Sequence, residues 1–141
     1  MTIAASLTPL ESSKALYAHL ALAEWDEVAT FLADDFVIYE PSSLPYGGEW
    51  KGRDALQRHY AHVMGYWLDP RVEWLELVGG ERHAVALLHL TATAPVNGNR
   101  FSQHIAEVTT FADDGKMQSM RIHYFDTGEM ARQIAGNGPA A

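Results

Sequence analysis

Apolar and polar positions change rhythm halfway along this chain. Up to about residue 67 the apolar residues recur at helical spacing, and from Asp69 onward they form strand-like runs between tight turns. Thr8-Pro9-Leu10-Glu11 reads as a helix start: threonine caps, proline fits the first turn, and Glu11 completes a capping box. That helix is predicted to run to about Leu22, with Leu16, Leu20 and Ala23 on one flank and Tyr17 and Ala21 beside them. A second short helix is expected over 26–32, and a strand, Phe36-Val-Ile-Tyr-Glu40, follows it. Residues 41–52 are rich in Ser, Pro and Gly and read as a loop carrying Tyr46 and Trp50. A third helix is predicted over 54–67, with Leu56, His59 or Tyr60, Val63 and Trp67 as its apolar stripe.

Strands are then predicted over 71–78, 83–94, 100–111 and 117–126. Gly79-Gly80, Asn97-Gly98 and Asp113-Asp-Gly-Lys116 supply the turns between them. Three successive turns imply an antiparallel meander. Helices followed by such a meander give an α+β fold: three N-terminal helices on a curved, cone-like antiparallel sheet, with a pocket at its open end. At 141 residues the chain is expected to be one domain, with a short helical stretch at 129–134 and a disordered tail over about 136–141. Within 83–94, Val85 and Leu87 in one phase and Ala84, Ala86, Leu88 and Leu90 in the other are all apolar. One set faces the helices. The other would stand in water at roughly 25 cal/mol per Å² unless covered, so a homodimer through the outer sheet face is expected.

Charge and composition narrow the partners. The net charge of −8 repels phosphate backbones, so nucleic acid is not an expected partner. No apolar run approaches the roughly 20 residues that cross a bilayer, and a membrane is not expected either. Cysteine is absent, which removes thiolate chemistry and disulfides, and no basic region precedes an apolar stretch at the N-terminus. The expected location is the cytoplasm.

Two acids carry the candidate chemistry. Glu107 interrupts the run Phe101-Ser-Gln-His-Ile-Ala-Glu-Val-Thr-Thr-Phe111, and Glu40 closes the first strand before Pro41. A carboxyl facing the core must be paired or have its pKa raised, and a raised pKa yields a hydrogen-bond donor near neutral pH. His104, three residues before Glu107, falls on the opposite strand face. His59 and His62 sit three apart on a helix, where one apolar-face and one solvated histidine is the simpler reading than a shared metal. Tyr124 and Asp126 share a face of the last strand, where they either line the pocket mouth or, for Asp126, cap the helical turn beyond. Tyr46, Trp50 and Trp67 form either an aromatic wall for a hydrophobic ligand or part of the core.

Three segments together give the chain a family likeness. They are Glu24-Trp-Asp-Glu with Phe31-Leu-Ala-Asp-Asp-Phe-Val-Ile-Tyr-Glu-Pro41, then Trp50-Lys-Gly-Arg-Asp-Ala-Leu56, and finally Phe111-Ala-Asp-Asp-Gly-Lys with Ser119-Met-Arg121 and Tyr124-Phe-Asp126. Over nearly its whole length the chain resembles the nuclear transport factor two-like superfamily, in its ketosteroid isomerase and SnoaL-like polyketide cyclase branch. The resemblance implies that Glu40 falls on the isomerase general base and Glu107 on its protonated oxyanion donor, both aspartates there. The family's first-helix tyrosine falls by count on Leu16, with Tyr17 one residue and about 100° away. Against the family pattern residues 122–124 look one residue longer, and a bulge there would re-aim His123, Tyr124 and Asp126.

From residues and resemblance together, the expected function is acid–base catalysis on a small hydrophobic carbonyl compound by an isomerase or cyclase, with no cofactor and no metal. The candidate catalytic residues are Glu40, Glu107, Tyr124 and Asp126; the candidate substrate contacts are Tyr17, Tyr46, Trp50, His59, Trp67 and Ile122. Two other readings stay open. One is an epoxide hydrolase or dehydratase-like enzyme, for which Arg100 or Arg121 with Asp126, or His123 with Asp126, would supply the grouping. The other is a non-catalytic ligand-binding or dimerisation module.

Overall fold

The computed structural model describes residues 7–134, so the tail predicted over 136–141 lies outside the described residues. Helix α1 (Pro9–Ala21) starts at the expected capping box: Glu11 N–H donates to Thr8 Oγ1 at 3.1 Å and Thr8 N–H donates to Glu11 Oε1 at 2.9 Å. Ala23, at φ 54°, turns the chain into α2 (Trp25–Thr30). Then come β1 (Leu32–Glu40), β2 (Gly48–Lys51), α3 (Ala55–Val63), β3 (Leu68–Gly79), β4 (His83–Thr93), β5 (Arg100–Phe111), β6 (Met117–Tyr124) and α4 (Thr127–Ile134).

All six strands form one curved, unclosed sheet in the order β2-β1-β6-β5-β4-β3. The architecture is α+β with a pocket-forming sheet, as expected, but three details differ. The sheet is mixed, because β1 runs parallel to β6 with Ile38 opposite Met120. Strand direction leaves no trace in side-chain alternation, which is the same in both ladders. Part of the 41–52 loop is β2, which pairs with the outer edge of β1. The C-terminal segment is a full helix, α4, giving four helices where the sequence pattern predicts three.

The meander from β3 to β6 is antiparallel as predicted. The strand is regular at 122–124, with no bulge: Tyr124, His123 and Ile122 pair in register with Ile105, Ala106 and Glu107. The β5–β6 register shift lies instead between Thr110 and Phe111, beside the turn. Tyr124 therefore keeps the inward phase of Ile122 and Met120.

The core fills the concave face. Phe36 and Ile38 of β1, Leu88 and Leu90 of β4, and Ile105 of β5 are buried there with Leu16 of α1 and Val63 of α3. α1 lies over β3 and β4, and α3 over β1 and β2. Gly79 holds α1 in place: a Cβ there would sit 2.7 Å from Leu10 Cβ, so glycine lets the helix start rest on the end of β3. On the convex face Leu75 and Leu87 stay exposed, and Phe125, just past β6, is 86% exposed.

Candidate active site

Alternation along β1 sends Phe36, Ile38 and Glu40 to the concave face, and the last of these is an acid. Glu40 is only 6% exposed. Such a carboxyl needs partners, and it has two. His59, from the facing side of α3, places Nε2 2.6 Å from Glu40 Oε2. The Tyr124 hydroxyl donates to Glu40 Oε1 at 3.0 Å and lies 3.1 Å from the Tyr46 hydroxyl. Burial, aided by the neighbouring Glu40 charge, raises the pKa of both phenols, so they stay protonated donors. Trp50 stacks edge-on against His59 at 5.5 Å and anchors its own indole N–H on the Tyr46 carbonyl at 3.0 Å.

The second acid lies two strands away. Glu107 of β5 pairs across the ladder with Ile122 of β6, and β1 borders the other edge of β6. Both acids face the concave side, so their backbones are separated by roughly 10 Å, two strand spacings. The Tyr17 hydroxyl, reaching down from α1, donates to Glu107 Oε1 at 2.8 Å. Glu107 is half-buried and lines the cavity. Burial raises its pKa above the usual carboxylate value; the bond from Tyr17 opposes this, the Glu40 charge adds to it, and His59 opposes it. Burial and the same pairing raise the Tyr17 phenol well above its ordinary value.

A cavity of about 210 Å³ lies between these groups, under α1 and α3. Tyr17, His59, Trp67, Glu107 and Ile122, all singled out from the sequence, line it. Leu16 packs into the core, so one step of helical rotation resolves in favour of Tyr17. Trp67 lies beyond the end of α3, which stops at Val63, on the turn leading into β3. Its indole N–H closes no hydrogen bond of good geometry, although the Tyr46 hydroxyl is near enough to feel it.

The remaining candidates stand elsewhere. Glu40, Tyr46 and Tyr124 form the layer behind His59 rather than the cavity wall. Trp50 buttresses His59 and His62 and does not reach the cavity. Asp126 is exposed and accepts from the Glu129 N–H at 3.0 Å, which makes it the cap of α4. Neither Asp126 nor the groupings predicted around it come to the cavity, because β6 ends before it and the chain turns outward. His104 takes the convex face and stacks with His89 at 4.6 Å. His59 and His62 diverge, the latter packing on Tyr66 at 5.6 Å. Among the described residues no three metal-ligating side chains cluster.

The His59–Glu40 pair was not legible as a pair in the sequence. Its signal was a histidine on an apolar helical stripe together with an inward-facing acid lacking a nearby cation. Only the packing of α3 on β1 joins the two.

Glu107 also ties stability to pH. Its folded pKa lies above the ordinary carboxylate value of 4.5, so the folded state holds the proton more tightly than the unfolded one. The associated stability is complete below that value and is lost as pH rises through the folded pKa. Glu107→Gln, which stays neutral, is expected to lack this loss. Urea unfolding of both proteins across that range checks it: parallel pH profiles would show that Glu107 is no more shifted than a solvated acid.

The chain matches the family model described as SnoaL-like domain over residues 14–120. No curated protein matches it. Solved structures do. An NTF2-like protein of unknown function from Burkholderia pseudomallei is 26% identical, over 89% of this chain and 96% of that one, with a TM-score of 0.74. A Mycobacterium tuberculosis protein in complex with an estradiol hemisuccinate is 16% identical, over 83% and 94%, at 0.60. The epoxide hydrolase/cyclase-like enzyme SalBIII of pyran ring formation in salinomycin is 17% identical, over 83% and 90%, also at 0.60. At such identities the last two show the fold alone. The family model spans most of the chain and its structural neighbours share the curved sheet and helices, so this protein belongs to the SnoaL-like domain family, within the NTF2-like superfamily.

Proposed function

We propose that this protein is an acid–base enzyme that moves a proton on carbon next to a carbonyl, as an isomerase or cyclase does, in a small hydrophobic substrate. One observation carries the reading: a His–Glu pair and a Tyr–Glu pair meet at one apolar cavity. His59 Nε2–H donates to the Glu40 carboxylate, which selects the tautomer whose Nδ1 lone pair is free. Nδ1 has no partner among the described residues and takes the proton from carbon. The electron pair left behind moves into the carbon–carbonyl unit. Protonated Glu107, steadied by Tyr17, donates a hydrogen bond to the oxygen where that charge gathers. His59 then returns the proton at another carbon. Glu40 is thus a positioning group in this scheme, and His59 takes the base role that the family likeness assigns to Glu40.

The steroid-ester complex of the M. tuberculosis neighbour supports a hydrophobic ligand. Solvent-deuterium incorporation into a β,γ-unsaturated cyclic ketone, followed by proton NMR, is the test. Exchange no faster than with His59→Gln overturns the proposal.

The same His59–Glu40 pair can activate water, and the SalBIII likeness favours that second reading. Incorporation of labelled water oxygen into product distinguishes hydrolysis from isomerisation. The Tyr17 hydroxyl, reaching Glu107 from the first helix, supports a catalytic reading over a non-catalytic binding module. No helix among the described residues is long and apolar enough to cross a membrane. We place two copies convex face to convex face, where Leu75, Leu87 and Phe125 are exposed. Sedimentation at low micromolar concentration is expected to show a dimer that Leu87→Glu dissociates; a wild-type monomer would count against it.

A further inference from the structure

The cavity that serves the proposed proton transfer also constrains what enters it. Its volume is about 210 Å³. Pockets for drug-sized ligands run from roughly 300 to 1,000 Å³. The floor cannot recede to make room. It is built from Ile38, Met120 and Ile122 of the sheet and Val63 of α3, all buried core residues, and close-packed interiors resist displacement. Only the rim can yield: Tyr60 and Val72 are exposed, and Trp74, stacked on Tyr17 at 4.9 Å, is 54% exposed.

Charge is the second constraint. Among the described residues no Lys or Arg lines the cavity. Among them His59 is the one cationic candidate in its wall, and its Nε2 is already engaged by Glu40. Glu40 and Glu107 both stand close by. A ligand carboxylate would be stripped of water without a counter-charge and set near the Glu40 carboxylate behind His59, which is costly. An uncharged carbonyl meets a donor in Glu107 and apolar wall elsewhere.

We infer, on the acid–base reading above, that the substrate is an uncharged, compact carbonyl compound of about one ring. Fused multi-ring molecules and carboxylates are excluded by size and charge respectively. Trp67 and Trp74 line the cavity, so tryptophan fluorescence reports its filling. The wild-type protein is titrated with a β,γ-unsaturated cyclohexenone, a cyclohexene carboxylate and a four-ring steroid carrying the same enone unit. Saturable binding of the cyclohexenone is expected, with the carboxylate at least about a hundredfold weaker. No saturable binding of the steroid is expected, and Trp74→Ala, which opens the rim, should introduce it. The inference is overturned if the steroid or the carboxylate binds wild type as tightly as the cyclohexenone, or if the cyclohexenone does not bind. Deuterium exchange measured on the same ligands separates this from the proposed chemistry. A cyclohexenone that binds without exchanging defeats the proton-transfer reading and leaves the size and charge limits standing. A steroid that exchanges defeats the limits and leaves the chemistry.

Discussion

His59→Gln is expected to lower kcat for carbon-proton exchange by about 10²–10⁴, the usual worth of a positioned general base. Glutamine keeps a polar side chain that can still donate to Glu40, so the fold should hold while the proton acceptor is lost. Far-UV circular dichroism and thermal unfolding close to wild type would show that it does. The comparison with Glu40→Gln is informative. There the imidazole remains, but the negative charge 2.6 Å from its Nε2 is gone, and an amide oxygen holds the tautomer and stabilises the imidazolium less well. A loss in kcat is expected in that variant as well. The Tyr124 hydroxyl also loses a charged acceptor at 3.0 Å, so part of any stability change in Glu40→Gln belongs to the buried tyrosine pair. Full activity in His59→Gln with loss in Glu40→Gln would return the base role to Glu40 itself.

Removal of the donor at position 107 is expected to cost about 10²–10³ in kcat, with little change in KM, because its bond strengthens only as charge develops on oxygen. Glu107→Ala deletes the donor outright. Glu107→Gln keeps an N–H donor and a partner for Tyr17 and should recover part of the rate. The pH profile tells catalysis from simple packing. Wild-type activity should fall as pH rises through the raised pKa of Glu107, since the ionised acid no longer donates. The glutamine variant should have no such limb. If Glu107→Ala retains wild-type kcat, or if both proteins share the alkaline limb, the donor role is lost.

Much of this was written in local sequence. The capping box at Thr8 and Glu11 specified where α1 begins, because it is satisfied within three residues. Asn97-Gly98 and the Asp113-to-Lys116 turn specified the meander, since short turns join antiparallel neighbours. Strand alternation put His104 on the face opposite Glu107. Those are properties of period and turn chemistry, and they need no knowledge of distant contacts.

What depends on distant contacts was decided only when the chain closed up. The direction of β1 beside β6 joins residues some eighty positions apart, and the side-chain pattern is the same for either direction. Whether Leu16 or Tyr17 meets the cavity depends on how α1 is rolled, and the close seating of Leu10 on Gly79 helps to set that. The rest of the site follows from the same closure. Glu40 gains a histidine because α3 lies over β1, and Asp126 is lost to a helix cap because β6 ends at Tyr124. A carboxyl in a strand announces that it needs a partner; only packing chooses which one, and so whether it meets the substrate or stands behind the residue that does.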